Sequence, residues 1–331
     1  MAIGQASTSL IQHNSSAEQR RADSSMWKYI KYLNVFVFCK FLKLLGNIMV
    51  LLVLGIVGFT WYAVVPGYYG PLMLVGPAGR AFGSTVLVVV FSILCIMLSW
   101  CYLAAVLVDP GQVPPGWHPF PDDAVAAREL ELMQYADYYI DRRDPRRPRF
   151  CKRCKAWKPE RSHHCSVSGH CVLKMDHYCI WVVNCVGLLN YKFFLQFLAY
   201  TFVASVMAIA CLVKPMLTFF QGTVGSGSAI AFISVVINSA FAASLAGFLV
   251  MHANMLAANC TTIEMYEKER IHPWPYNKGW RRNYEEVLGK SKLGWLLPRY
   301  TADERRQLLD SCLNTRLLQG YMSSSMGPDA V

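Results

Sequence analysis

Four long stretches of the chain carry no charged residue: Leu44–Val65, Gly83–Val108, Phe193–Val213 and Ala229–Met251. Each exceeds 20 residues. A helix rising about 1.5 Å per residue needs about 20 apolar residues to cross a hydrocarbon core of about 30 Å. The pattern predicts an all-α polytopic membrane protein with four transmembrane helices. The linkers Pro66–Phe82 and Lys214–Ser228 are short and rich in Gly or Pro, too small for a domain. The chain then divides into a tail (1–43), helices 1 and 2 (44–108), a long loop (109–192), helices 3 and 4 (193–251) and a second tail (252–331).

Composition supports this division. Of 331 residues 54% are hydrophobic and 16% charged, against about 25% charged in soluble domains. The net charge of +11 would suit a nucleic-acid partner, but its distribution argues for another use. Thirty of the 32 Lys and Arg lie in the two tails and the 109–192 loop; only Arg80 and Lys214 lie in the other linkers. This asymmetry puts both termini and the long loop in the cytosol. The basic excess serves topology and the anionic leaflet, so no nucleic-acid partner is expected.

Residues 1–25 lack the apolar core of a cleavable signal, and Ala2 excludes N-myristoylation. Asn14 and Asn259 match glycosylation acceptors but fall on the cytosolic side, where they are expected to stay unmodified.

The long loop opens with Asp109-Pro110-Gly111 and Pro114-Pro115-Gly116, turn signals that stop the second span. Asp122 and Asp123 are expected to cap a helix running to about Ile140, and Pro145 and Pro148 interrupt the Arg-rich stretch that follows. Thr301–Glu304 reads as a capping box ahead of Leu308, Leu309, Cys312, Leu313 and Leu317 at helical spacing. That amphipathic helix is expected to pack on the cytosolic domain or to lie on the membrane.

Six of the 12 cysteines fall between Cys151 and Cys185, in CKRC, HHC, GHC, DHYC and VNC. A reducing cytosol disfavours disulfides, so metal binding or catalysis is the better reading. The turn Cys151-x-x-Cys154 places two thiolates on one ion, and His164 and Cys171 follow at distances suited to a zinc knuckle. Three Cys and one His close a tetrahedral structural site.

The stretch CKRCKAWKPERSHHCSVSGHCVLKMDHYCIWVVNCVGLLNYKFF resembles the DHHC family of protein S-acyltransferases, the palmitoyltransferases, here in a DHYC variant. Asp109-Pro110-Gly111, Thr261-Thr262-Ile263-Glu264 and Asn283-Tyr284 with Val287-Leu288-Gly289 match further family signatures, so the resemblance covers about Leu44 to Pro298. It implies a zinc-binding cysteine-rich domain (151–190) between helices 2 and 3. It also implies transfer of a long-chain acyl group from acyl-CoA, through a thioester on Cys179, to membrane-associated proteins. An endomembrane such as the Golgi is the family's commonest location.

The residues argue for the same chemistry. Thioester exchange needs a thiolate nucleophile; His177 would take the proton of Cys179, and Asp176 would orient the imidazole. With the third span close behind, the thiolate is expected at the membrane face, the acyl chain lying between helices and coenzyme A in water. Lys158 and Arg161 suit the phosphates of coenzyme A by charge and geometry. Trp181 reads as part of the interfacial aromatic belt.

The resemblance implies two zinc sites of three Cys and one His. By position the second would be Cys165, Ser168, Tyr178 and Cys185, and it is degenerate, because neither hydroxyl is a good zinc ligand near neutral pH. One zinc per chain is expected, with a second only if His163 or His170 is recruited. The competing reading is a catalytically inactive homologue serving as a membrane scaffold or adaptor; the intact Asp176, His177 and Cys179 speak against it.

Overall fold

The computed structural model describes residues 35–120, 122–135, 149–220, 226–269 and 271–313. The chain divides into two units, Met1–Leu45 and Gly46–Val331, and of the first the structure describes only the helical backbone from Val35. The long helices are α1 (Val35–Val64), α3 (Ala78–Leu107), α5 (Tyr191–Phe220) and α6 (Ser226–Ala258). The segments Gly46–Val75, Ala78–Leu107, Tyr191–Phe220 and Gly227–Ala258 are long and apolar enough to cross a membrane. The protein is a multi-pass membrane protein.

The linker expected over Pro66–Phe82 is almost entirely helical. After α1 the chain continues as a π-helical turn (Val65–Tyr69) and a short α2 (Gly70–Val75) before α3 begins at Ala78. Pro66 has no N–H to leave unbonded in the turn. The break is confined to Gly76 and Pro77, whose ψ values of 157° and 149° are extended. Lys214, expected in the second linker, lies within α5, and residues 221–225 are outside the described residues.

Side chains on the outer faces, among them Leu51, Ile96, Val206 and Val250, are exposed, as a lipid-facing surface requires. The inner faces of α3, α5 and α6 bury Phe91, Leu98, Tyr102, Phe197, Leu212 and Leu245 in one core.

Between α3 and α5 lies α4 (Asp123–Tyr135), followed by three antiparallel hairpins that the helical reading left out. These are β1–β2 (Arg149–Cys151, Ala156–Lys158), β3–β4 (His163–Cys165, His170–Val172) and β5–β6 (His177–Cys179, Asn184–Val186). Asp122 caps α4 as expected, accepting the Val125 N–H at 2.8 Å, whereas Asp123 bonds the His118 ring at 2.7 Å. The expected end of this helix near Ile140, and Pro145 and Pro148, lie outside the described residues.

Past α6, the chain returns to the hairpin domain through α7 (Met265–Lys268), α8 (Trp280–Leu288) and α9 (Ala302–Leu313). The capping box forms: Thr301 N–H donates to Glu304 Oε2 at 2.9 Å, and Glu304 N–H to Thr301 Oγ1 at 3.2 Å. Leu308 and Cys312 on α9 are buried against Leu173, Leu188 and Leu189. The amphipathic face therefore covers the cysteine-rich domain. Leu317 lies outside the described residues.

Candidate active site and metal centre

Three-residue strands cannot hold a site by their own ladder bonds alone. Capping of α3 anchors this domain instead. The last carbonyls of a helix have no internal partner. Asn184 Nδ2 reaches three of them, on Ala105, Val106 and Val108, at 3.2, 3.1 and 2.9 Å. Asn190 adds a donor to Cys185 O at 2.8 Å and accepts the Gly187 N–H at 2.9 Å. Tyr102, near the end of α3, donates to Trp181 O at 2.9 Å. Gly187 is needed for this close approach, because a Cβ there would lie 2.6 Å from Val172 Cγ1 and 2.8 Å from Pro110 O.

The β5–β6 hairpin so anchored carries Asp176, His177 and Cys179. His177 Nδ1 lies 2.6 Å from Asp176 Oδ2, and His177 and Cys179 line the same cavity. Asp176 is 2% exposed. Its other oxygen accepts the Thr262 N–H at 2.8 Å, and its backbone carbonyl accepts the Thr262 hydroxyl at 2.6 Å. Burial pulls the His177 pKa down. The hydrogen bond to Asp176, with the neighbouring Asp176 and Cys179 side chains, outweighs burial and raises it from 6.5 to about 9. Sequence reasoning named the three residues but assigned no role to Thr262, Asn184 or Asn190. Their signal was present: polar residues at fixed places in an apolar neighbourhood.

Cys179 and His177 face a cavity of about 370 Å³ that runs between the membrane helices. Val53, Phe91, Leu98, Phe197 and Leu245 line it, and Thr60 and Asn238 add polar groups. Trp181, expected in the interfacial belt, also lines the cavity and is 42% exposed.

The first metal set converges as expected. The ligand atoms of Cys151, Cys154, His164 and Cys171 all lie within 4.8 Å of one another. His164 Nδ1 is 3.6 Å from Cys151 Sγ and 3.2 Å from Cys154 Sγ, and the thiols of Cys154 and Cys171 are 3.8 Å apart. Three soft thiols and one imidazole fit zinc, with no position left open. The remaining pair, Cys165 and Cys185, is also in contact, with Ser168 Oγ 3.6 Å from Cys185 Sγ.

Arg161 does not fit its expected role. It is 8% exposed and bonds Glu264 at 2.7 and 2.6 Å, Asn259 Oδ1 at 3.1 Å and Asn259 O at 2.9 Å. Its guanidinium lies over the Tyr276 ring at 4.3 Å. Every nitrogen of the fork is occupied, so none faces a phosphate. The charge is there to tie the hairpin domain to the Thr261–Glu264 turn. Lys158 ends β2 and is partly buried. Asn259 is 3% exposed and bonded at both ends of its amide, a geometry that leaves no room for a glycan.

A thiol and an imidazole opening onto one apolar cavity between membrane helices are the parts that a membrane-embedded transferase of fatty acyl groups requires. Residues 144–269 match the family described as DHHC palmitoyltransferase. Probable protein S-acyltransferase 13 of Arabidopsis thaliana is 46% identical over 281 residues, which span 83% of this chain and 92% of that protein. Probable protein S-acyltransferase 14 of the same plant is 45% identical over 282 residues, 83% and 91% of the two chains. Palmitoyltransferase ZDHHC15 of Homo sapiens is 29% identical over 273 residues, 77% and 79% of the two. The chain belongs to the DHHC family of protein S-acyltransferases, the palmitoyltransferases.

Proposed function

We propose that the chain moves a palmitoyl group from palmitoyl-CoA to cysteine thiols of membrane-associated proteins, by way of a thioester on Cys179. The observation that carries this reading is the placement of Cys179 beside His177 on the wall of the apolar cavity, with His177 bonded to the buried Asp176.

His177 takes the Cys179 proton. The thiolate attacks the thioester carbonyl of the donor, forming a new S–C bond as the bond to the coenzyme A sulfur breaks. His177 returns its proton to the departing coenzyme A thiolate. In the second half the incoming protein thiol gives its proton to His177 and attacks the acyl-enzyme, and Cys179 leaves. Asp176 keeps Nδ1 of His177 bonded at 2.6 Å, so that the other ring nitrogen is the one that exchanges protons. Thr262 holds Asp176 in turn. The acyl chain occupies the cavity and coenzyme A stays in water, where Lys158 is assigned to its phosphates by charge; Arg161 is not.

Cys151, Cys154, His164 and Cys171 would hold zinc. An ion there would supply a structural cross-link between the first two hairpins. The excess of Lys and Arg on the side of the hairpin domain supports a cytosolic active site with both termini cytosolic. Family membership is the ground for placing it in an endomembrane such as the Golgi.

The test is incubation of purified protein with labelled palmitoyl-CoA and a hydroxylamine wash. Wild type should hold a labile label that Cys179→Ser lacks. Full hydroxylamine-sensitive label on Cys179→Ser would refute the assignment. For orientation, protease added to sealed cytosol-side-out vesicles should cut both tails and the 109–192 loop, and protection of either terminus refutes the topology.

A further inference from the structure

The three hairpins are tandem copies. Their first strands begin at Arg149, His163 and His177, their second strands at Ala156, His170 and Asn184, a constant step along the chain. Strand register is the same in all three. Each turn has a left-handed residue at the same place: Lys155 at φ 51°, Gly169 at 80° and Val183 at 54°.

The same step carries the first metal set, Cys151, Cys154, His164 and Cys171, onto Cys165, Ser168, Tyr178 and Cys185. Contacts repeat with it. Cys154 N–H points at Cys151 Sγ at 3.4 Å, and Ser168 N–H at Cys165 Sγ at 3.4 Å. Cys154 Sγ is 3.8 Å from Cys171 Sγ, and Ser168 Oγ is 3.6 Å from Cys185 Sγ. His164 pairs with Cys171 across its hairpin, and Tyr178 pairs with Cys185 across the next. Each set therefore stitches one hairpin to its successor. The second stitch holds the hairpin that bears Cys179.

The donors of the second set do not fit zinc. Structural zinc sites draw on thiolate sulfur and imidazole nitrogen, and two of these four positions present hydroxyls. Among the described residues, the first set alone brings three or more Cys, His, Asp or Glu ligand atoms within 4.8 Å. His163 and His170 do not join Cys165 and Cys185, and the His170 ring bonds Ser168 O at 3.1 Å instead. The surroundings of this set are apolar. Cys165 and Cys185 are 2% and 0% exposed, and Val172, Met175, Val167, Tyr178 and Ile263 close around them. The third hairpin shows that the turn stands without a ligand set, since Val182 occupies the place of Cys154 with register and left-handed residue unchanged.

We propose that this chain carries one zinc and that its second knuckle is a metal-free stitch. Thiol–hydroxyl contacts and apolar packing there do the work that the ion does in the first. Tyr178 is a positioning residue for Cys179. The backbone of the knuckle is kept, so restoring the two donors restores a metal site. The proposal rests on the reading that the first set holds zinc.

The test is elemental analysis of the full-length protein purified in detergent. Wild type should hold about one zinc per chain, Cys165→Ser about one, Cys154→Ser about none, and the double variant Ser168→Cys with Tyr178→His about two. About two zinc ions in wild type, or loss of zinc in Cys165→Ser, overturns the proposal even if the double variant does not fold. A folded double variant that stays at about one overturns the claim that the knuckle geometry is kept. Unchanged zinc in Cys154→Ser identifies a different failure, that of the first-set reading. Tyr178→Ala should slow auto-acylation by up to about 100-fold, the cost of misplacing a reacting group by about 1 Å, with zinc unchanged. Tyr178→Phe should keep most of the rate, and equal rates in wild type and Tyr178→Ala would overturn the positioning role.

Discussion

Replacing Arg161 by Ala separates two uses of one charge. If Arg161 held coenzyme A, its loss would raise the KM for palmitoyl-CoA and leave the fold intact. The structure makes a different prediction. Arg161 and Glu264 are 8% and 2% exposed, and their bidentate bond at 2.7 and 2.6 Å is joined by two further bonds to Asn259. Removing the guanidinium leaves a buried carboxylate with the Thr261 N–H, at 3.0 Å, as its remaining donor. Deleting one partner of a buried ion pair costs about 3–5 kcal/mol, between about 10² and 10⁴ in the folding equilibrium. Glu264 ends the turn that places Thr262 on Asp176, so the loss also reaches the catalytic group. The assay is thermal unfolding of purified protein followed with a thiol-reactive dye, together with initial rates at varied palmitoyl-CoA. Arg161→Ala should unfold at a clearly lower temperature and turn over more slowly, with KM little changed. Arg161→Met combined with Glu264→Leu should lose less stability than Arg161→Ala, because no charge is then stranded. Wild-type stability in Arg161→Ala with a raised KM would refute this reasoning.

His177→Ala should slow acylation by about 10²–10⁴-fold in single-turnover measurements, the usual contribution of general base catalysis; an unchanged rate removes His177 from the mechanism. The folded pKa of His177, about 9, lies above its ordinary 6.5, so the stabilisation it draws from Asp176 is complete below about pH 6.5 and lost as pH rises through about 9. The stability difference between wild type and His177→Gln should therefore narrow from pH 6 to pH 10 (roughly the span of the two pKa values), and a difference that widens contradicts the assignment. Asn184→Ala should cost about 1–3 kcal/mol through the carbonyls left at the end of α3, and Asn184→Asp, which has no side-chain N–H to offer, should be no better. An unfolding temperature unchanged in Asn184→Ala would show that those carbonyls need no cap. Leu308→Ala should cost about 2–5 kcal/mol if α9 covers the hairpin domain, and wild-type stability would show that it does not.

Much of this was legible along the chain. Four charge-free stretches mark the spans, because the thickness of the hydrocarbon core sets a length that a run of apolar residues either reaches or does not. The first metal set was legible for a related reason. Its ligands sit in two tight hairpins, so sequence spacing is nearly a spatial constraint. The Asp176-His177-Tyr178-Cys179 stretch, three of whose residues act together, is local as well. The helical course of Val65–Val75 was not legible, since Gly and Pro there match a loop in water, whereas inside a membrane the backbone must bond to itself.

What only the tertiary structure decided are contacts between residues far apart in the chain. Arg161 has the composition of a phosphate ligand, and nothing near it in sequence shows that Glu264 and Asn259 occupy it. Thr262 holds Asp176, and Asn184 caps a helix more than 70 residues upstream. Leu308 and Cys312 formed an amphipathic stripe that either lipid or protein could have covered; Leu173, Leu188 and Leu189 cover it. Local spacing and apolar length are properties that a sequence carries directly. The partner of a buried charge or a buried amide is not, because it depends on which surfaces meet once the helices have packed.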